Sequence, residues 1–209
     1  MAIRTTKSVI YHIPKCGGIW VKEAVRKSLH RTGMAYWRCR QAHVAQEFGL
    51  VREHSTPDRV IPEDREGYFS MAFVRNPVTW YRSYWCYRVK TGYLDKKFPL
   101  DNLWDDNYEK FLVKALDNLP GFVTQLYQFY VGKDGKRLDY VGKQENLTWD
   151  LIEALTLAGE DFDEIVVMKT QWRNIAYQSS RIGKLAVCSK ELDDKIEESE
   201  RWVLETFYV

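Results

Sequence analysis

The chain has little of what would mark a metal, redox, membrane or general nucleic-acid protein. Its four cysteines, Cys16, Cys39, Cys86 and Cys188, make no CxxC pair and join no His/Cys cluster at zinc spacing. Free thiols in a reducing compartment are expected instead. No stretch approaches the ~20 apolar residues of a membrane-crossing helix, and the segment from Met1 to Ser8 is polar, without the apolar centre of a leader peptide. These absences point to a soluble, cytoplasmic chain with no integral membrane segment. Charge of one sign is missing too: 31 basic against 29 acidic residues leave a formal net charge of +2. A nucleic-acid binder normally shows a marked basic excess, so no nucleic-acid partner is expected. A local anion site is still compatible with this balance, because a few well-placed cations suffice. The GxxxxGK[ST] spacing of a Walker A loop is absent, and no Ser or Thr follows a loop Lys to hold magnesium. No metal is expected.

What is present is enough apolar material for one domain over 1–209: the chain is 45% hydrophobic and 14% aromatic. Ser8 to Ile13 is a short apolar run ending at Pro14 and reads as a buried strand containing His12. After Gly17 and Gly18, an apolar stripe at helical spacing (Ile19, Val21, Ala24, Val25, Ser28, Leu29) predicts a helix. A second unit of the same kind follows, with a strand over Gly67 to Val74 and a helix opened by Pro77 and continued by Tyr81, Tyr84, Trp85 and Arg88. Thr91 to Asn107 mixes Gly, Pro and Asp and reads as a mobile surface loop or lid. Helices are expected over Asn107 to Leu116 and Leu119 to Tyr130, then a tight turn at Lys133 to Lys136. A strand over Leu138 to Gly142 follows, and a helix over Asn146 to Ala158 stopped by Gly159. Ile165 to Lys169 is β-branched and apolar and reads as a further strand of unclear register. Ser189 caps a final helix with Glu191 in its first turn, and Leu192, Ile196, Val203 and Phe207 share its apolar face. Alternating strands and helices imply an α/β domain with a central, mainly parallel sheet. Ligands of such sheets sit beyond the carboxyl ends of the strands.

Two segments fall at such ends. His12-Ile-Pro-Lys15-Cys16-Gly17-Gly18-Ile19-Trp20 joins strand to helix. Its glycines let successive backbone N–H groups turn toward one anion, the helix start adds partial positive charge, and Lys15 adds a full one. The plain alternative is a βα turn with a solvated Lys15. Arg75-Asn76-Pro77 closes the second strand, with Ser83 on the following helix; an Arg there can grip a phosphate with its planar fork. Taken alone, a capping Arg and an incidental Ser would explain that segment equally well.

Together, PKCGG-x-W and VRNP-x5-SYW resemble the sulfotransferase superfamily, whose members use 3′-phosphoadenosine 5′-phosphosulfate (PAPS). The segment Tyr68 to Pro77 is similar to the corresponding strand of carbohydrate-type members, and Val141 to Leu147 resembles their VG-x-x-ENL segment. The likeness is weakest between Arg88 and Asp139. It implies a P-loop-like, three-layer fold with helices flanking the sheet. It also implies sulfuryl transfer from PAPS to a hydroxyl acceptor, most simply on a carbohydrate or glycosylated metabolite, leaving adenosine 3′,5′-bisphosphate. By position, Lys15 would contact the 5′-phosphosulfate and the backbone from Cys16 through Gly17, Gly18 and Ile19 to Trp20 would cradle the 5′-phosphate. Trp20 would stack on adenine, and Arg75 and Ser83 would hold the 3′-phosphate. Two positions depart from the pattern: Ile19 replaces a loop Thr, and Gln144 stands where an aromatic near adenine is usual.

The transfer needs a base for the acceptor proton, and His or Glu are the usual choices. Of the four histidines, His12 reads as structural, and His30 ends the first helix. His43 opens an expected helix over Ala42 to Phe48. His54 ends an expected strand over Leu50 to Glu53 and stands where the resemblance puts a catalytic His. Arg52, on the same strand face, would assist the transferring group, and Glu47 is a second candidate base. Tyr87, Tyr93, Trp104 and Tyr108 could line an acceptor site or a core. The competing readings are an ATP-dependent P-loop small-molecule kinase and a catalytically inactive nucleotide- or glycan-binding scaffold.

Overall fold

The structure, a computed structural model, describes residues 2–31, 36–41, 54–92, 94, 97–171 and 181–209, with the backbone alone at His30 and Arg31. His43, Glu47, Arg52 and Tyr93, and the helix and strand expected over 42–48 and 50–53, lie outside the described residues. In chain order the elements are β1 (Ile3–Arg4), β2 (Ser8–Tyr11), α1 (Gly18–Arg31), β3 (Trp37–Arg38), β4 (Phe69–Val74), α2 (Pro77–Thr91), α3 (Tyr108–Asn118), α4 (Phe122–Val131), β5 (Tyr140–Lys143), α5 (Leu147–Leu157), α6 (Glu164–Lys169), α7 (Lys190–Ser199) and α8 (Arg201–Phe207). The described residues form two compact units, one from within 1–46, 50–74 and 128–173, the other from within 75–127 and 174–209.

The first unit is α/β. Its five-stranded sheet has the order β3-β1-β2-β4-β5. β2, β4 and β5 run parallel, and β1 pairs antiparallel with both β2 and β3, so four of the five strands point one way. Alternation of side chains along a strand assigns the faces. Ile10, Met71 and Phe73 bury against Val21, Ala24, Val25 and Leu29 of α1, Leu151 and Leu155 of α5 and Val167 of α6. Tyr11, next to Ile10, therefore turns to the other face. Burial of a single Leu or Phe side chain contributes ~1.5–3 kcal/mol, so this helix-covered face carries much of the unit's stability. A buried carboxylate ties the β1–β2 hairpin down: Glu160 accepts hydrogen bonds from Lys7 N (2.9 Å), Ser8 Oγ (2.9 Å) and the Thr5 hydroxyl.

The carboxyl ends of β2, β4 and β5 share one sheet edge, and the β5 exit is built to bring α5 close. A Cβ on Gly142 would stand 2.7 Å from the Phe73 ring and 2.9 Å from Asp150 Cβ, so only glycine lets the helix approach. Asp150, in the first turn of α5, accepts from Asn146 Nδ2 at 2.6 Å and from the Lys143 N–H. At the far end Gly159 takes the left-handed conformation (φ 67°) that stops the helix.

The second unit holds α2, α3, α7, α8 and the first part of α4. Asn76 caps α2, its side chain accepting from Val78 N at 3.0 Å. The helix is apolar around much of its circumference and buries Trp80, Tyr81, Tyr84, Trp85 and Arg88. Trp80 and Tyr84 stack at 5.4 Å. Glu200, fully buried at the α7–α8 junction, accepts from Val123 N (3.1 Å), Thr124 N (2.7 Å) and Tyr81 Oη (2.9 Å), capping α4 from a distant part of the chain.

Three expectations are corrected. Ile165 to Lys169 is helix α6, because the Asp163 side chain caps it by accepting from Val166 N at 3.1 Å and its buried side is met by a single residue, Val167. The strand expected to hold His12 ends at Tyr11. The lid expected between Thr91 and Asn107 is pinned over residues 98–105. Phe98 and Leu100 are buried, Asp101 pairs with Arg88 at 2.7 Å, and Trp85 Nε1 donates to Asp105 O at 2.9 Å.

Candidate functional site

The loop after β2 has the backbone of an anion cradle. Lys15 sits at φ 65°, the one non-glycine residue with positive φ among the described residues, and Gly17 follows at φ 82°. A left-handed residue with a Cβ costs about 1–2 kcal/mol, and such strain collects where function requires it. Positive φ at Lys15 and Gly17, with Cys16 not positive between them, turns successive N–H groups to one side. Cys16 N donates to Ile13 O at a long 3.4 Å. No described hydrogen bond uses the N–H of Gly17, Gly18 or Ile19, the first of which precedes α1 while the other two open it. With no acidic residue in the first turn of α1, that end keeps its full partial positive charge. These features suit the oxygens of a phosphate or phosphosulfate, and they do so without a hydroxyl.

Both glycines are dictated by close packing. A Cβ on Gly17 would stand 2.4 Å from Leu147 Cδ2 and 3.6 Å from Gln144 Cγ, so the start of α5 rests on the loop. This puts Gln144, a departure from the resemblance, against the cradle itself. A Cβ on Gly18 would stand 1.9 Å from His12 Cδ2, so the His12 imidazole lies across the first turn of α1.

His12 also meets His54. Their ring centroids are 4.6 Å apart, and His54 Nδ1 lies 3.2 Å from the His12 carbonyl oxygen. A carbonyl only accepts, so that bond puts the proton on Nδ1 and leaves the lone pair of His54 on Nε2. Tyr130 Oη donates to the His54 carbonyl at 2.8 Å, anchoring the backbone below the ring. Burial, then the charge of His54 and the nearby lysines, holds the His12 pKa well below the usual 6.5, so His12 is neutral at physiological pH. Beside the loop lies a cavity of about 220 Å³, walled by His12, Cys16, Gly18, Ile19, Lys22 and Arg38 over an apolar floor from the sheet.

The structure thus brings together Lys15, Cys16, Gly17, Gly18, Ile19 and His54 in the first unit. Ile19, the second residue of α1, is 54% exposed. Trp20 is corrected: it is 2% exposed, belongs to the core beneath the loop and donates from Nε1 to Thr170 O at 3.0 Å, so its ring offers no free face to adenine. In the second unit Arg75 is the first residue after β4; its Nε donates to Thr79 Oγ1 at 2.9 Å, and Tyr127 Oη bonds both its N–H and its carbonyl. Ser83 is half-buried on α2. Tyr108 is core, Trp104 stacks on Trp85 at 6.1 Å, and Tyr87 is 40% exposed. The residues missed by sequence reasoning are Tyr130 and the carbonyl of His12. No local pattern marks either, because both act through contacts between distant segments. All four cysteines are free, and the buried Cys39 thiol is pushed up to about 12, chiefly by burial. Among the described residues no group of His, Cys, Asp or Glu could hold a metal ion, and no helix is long and apolar enough to cross a membrane.

Comparison with protein-family models, with curated proteins and with solved structures yields no match for this chain.

Proposed function

We propose that the chain is a PAPS-dependent sulfotransferase acting on a hydroxyl acceptor, most simply a carbohydrate. The observation that carries this reading is the cradle at the start of α1. A strained Lys15, unengaged N–H groups at Gly17, Gly18 and Ile19, and the His12–His54 pair, joined from two segments, all belong to the first unit.

Lys15 neutralises charge on the 5′-phosphosulfate and on the oxygen that leaves with adenosine 3′,5′-bisphosphate. The cradle N–H groups orient the 5′-phosphate. His54, with Nδ1–H held by the His12 carbonyl, takes the acceptor's proton on Nε2 as the new O–S bond forms and the S–O bond to the 5′-phosphate breaks. Neutral His12 keeps a second positive charge away from His54, which favours that uptake. Arg75 and Ser83 keep the 3′-phosphate role that the resemblance implies, Arg52 that of assisting the transferring group, and no adenine contact is assigned to Trp20.

The test is transfer of labelled sulfate from PAPS to a panel of sugars and glycosylated compounds, with wild type and His54→Ala side by side. His54→Ala is expected to lower turnover by at least ~10² while donor affinity stays within about twofold. Equal turnover would remove His54 from the role. Donor binding without transfer to any acceptor would leave a nucleotide-binding scaffold, and magnesium-dependent phosphoryl transfer from ATP would make the chain a kinase.

A further inference from the structure

The sheet face opposite α1 carries a second polar pocket, independent of the transfer reading. It has a volume of about 110 Å³ and is lined by Tyr11, Arg65, Tyr68, Ser70 and Arg137 with two apolar neighbours. One water needs only ~10–15 Å³ of such space, whereas drug-sized ligands occupy ~300–1,000 Å³. The pocket therefore admits a small polar group and excludes a nucleotide.

Two donors on its walls, Tyr11 Oη and Arg65 Nε, meet no acceptor among the described residues. Tyr11 is 3% exposed, and its hydroxyl makes no hydrogen bond among the described residues. Burial, the largest influence, pushes the Tyr11 pKa up to about 12, so the hydroxyl stays a donor across the physiological range. Among the described residues Arg65 Nε is buried and has no hydrogen-bond partner, and Arg65 makes an ion pair of 3.6 Å with the exposed Glu66. Arg137 pairs with the exposed Asp58 through its terminal nitrogens. Arg4 backs the wall, donating to Tyr68 Oη at 3.0 Å. Of the nearby acids, Asp64 pairs with Arg4 at 3.5 Å, and Asp139 is engaged by Ser70 N and Oγ, each at 2.7 Å. A buried donor left unsatisfied costs about 1–3 kcal/mol, and native folds resolve such groups with a water or an ion. The Arg65 guanidinium and the Tyr11 hydroxyl on the pocket wall, with Arg137 at the rim held by Asp58, favour an anion, since planar arginine forks match tetrahedral oxyanions.

We propose that this pocket binds a tetrahedral oxyanion, sulfate or phosphate, either free or as the ester group of a larger molecule whose body stays outside. Tyr11 Oη and Arg65 Nε donate from the buried side and Arg137 from the rim.

The test titrates sodium sulfate, and separately glucose 6-sulfate, into the full chain by calorimetry against sodium chloride of equal ionic strength. All measurements use a Lys15→Ala background, which weakens anion binding at the loop cradle; heat that survives both Arg65→Gln and Tyr11→Phe belongs to the remaining cradle N–H groups and not to this pocket, so the outcome does not depend on the transfer reading. Sulfate is expected to bind, Arg65→Gln to weaken it at least tenfold and Tyr11→Phe at least threefold. Tyr11→Phe keeps the core volume and so guards against loss of fold. Equal binding of the sugar ester would identify an ester group as the ligand, and binding of sulfate alone a free anion. No heat with either probe, or heat indifferent to both substitutions, would overturn the proposal and leave a water-filled pocket.

Discussion

Gly18→Ala sets two effects of opposite sign against each other. Position 18 opens α1 without a left-handed backbone, and alanine in a helix is favoured over glycine by ~1 kcal/mol. By helical propensity alone the variant should be more stable. The His12 ring reverses this. The new Cβ would stand 1.9 Å from Cδ2 and 2.3 Å from Nε2, against an ordinary contact of 3.4–4 Å, so the ring must retreat by roughly 1.5 Å. The His54 ring, 4.6 Å away centre to centre, limits that retreat. Overpacking of this kind costs about 1–3 kcal/mol, so a net loss of up to about 2 kcal/mol is expected. Urea unfolding of wild type, Gly18→Ala, His12→Ala and the double variant measures it as a cycle. In the His12→Ala background the added methyl should become neutral or stabilising, giving a coupling of about 2 kcal/mol between the two positions. Additive effects would refute the packing of the His12 ring on the helix start.

Three further outcomes follow from the same geometry. Trp20→Ala should cost about 3–5 kcal/mol as a buried aromatic truncation, read by urea unfolding; a cost near zero would return Trp20 to the ligand. Glu200 has its pKa raised above the ordinary 4.5, chiefly by burial. Above 4.5 the unfolded chain has lost a proton that the fold still holds, so stability falls as pH rises through the interval up to the folded value. Glu200→Gln should flatten that part of a melting-temperature profile, and a profile parallel to wild type would contradict the assignment. The same variant should be about 1–3 kcal/mol less stable at neutral pH, because the amide presents a donor where two N–H groups and a hydroxyl need acceptors.

Much of this could be read from local signals. The strand–loop–helix around Lys15, the strand and Pro77-opened helix after it, the Gly159 stop and the Ser189 cap all carry their cause within a few residues. Ser189, for instance, accepts from Leu192 N at 3.3 Å, as its position implies. The two-residue strands β1 and β3 were not legible, because so short a segment has no period to detect. The run Ile165–Val166–Val167 suggested a strand, and the cap at Asp163 outweighed β-propensity. Composition made residues 98–105 look loose, yet Phe98 and Leu100 bury and Asp101 meets Arg88. At the site, the strand–loop–helix was legible from the glycines and the lysine between strand and helix, a pattern that a plain βα turn shares, while the positive φ at Lys15 was not. Trp20, Tyr130 and Glu200 take their roles from segments distant in sequence, and no window around any of them shows the partner.

The central claim is tested most directly by nucleotide affinity. Calorimetry in EDTA should give adenosine 3′,5′-bisphosphate at least ~10-fold tighter binding than adenosine 5′-monophosphate, a difference of ~1.4 kcal/mol. Lys15→Ala should weaken both, and Arg75→Ala should erase the preference. Equal affinities in the wild type, or binding of ATP alone and only with magnesium, would contradict the sulfotransferase reading.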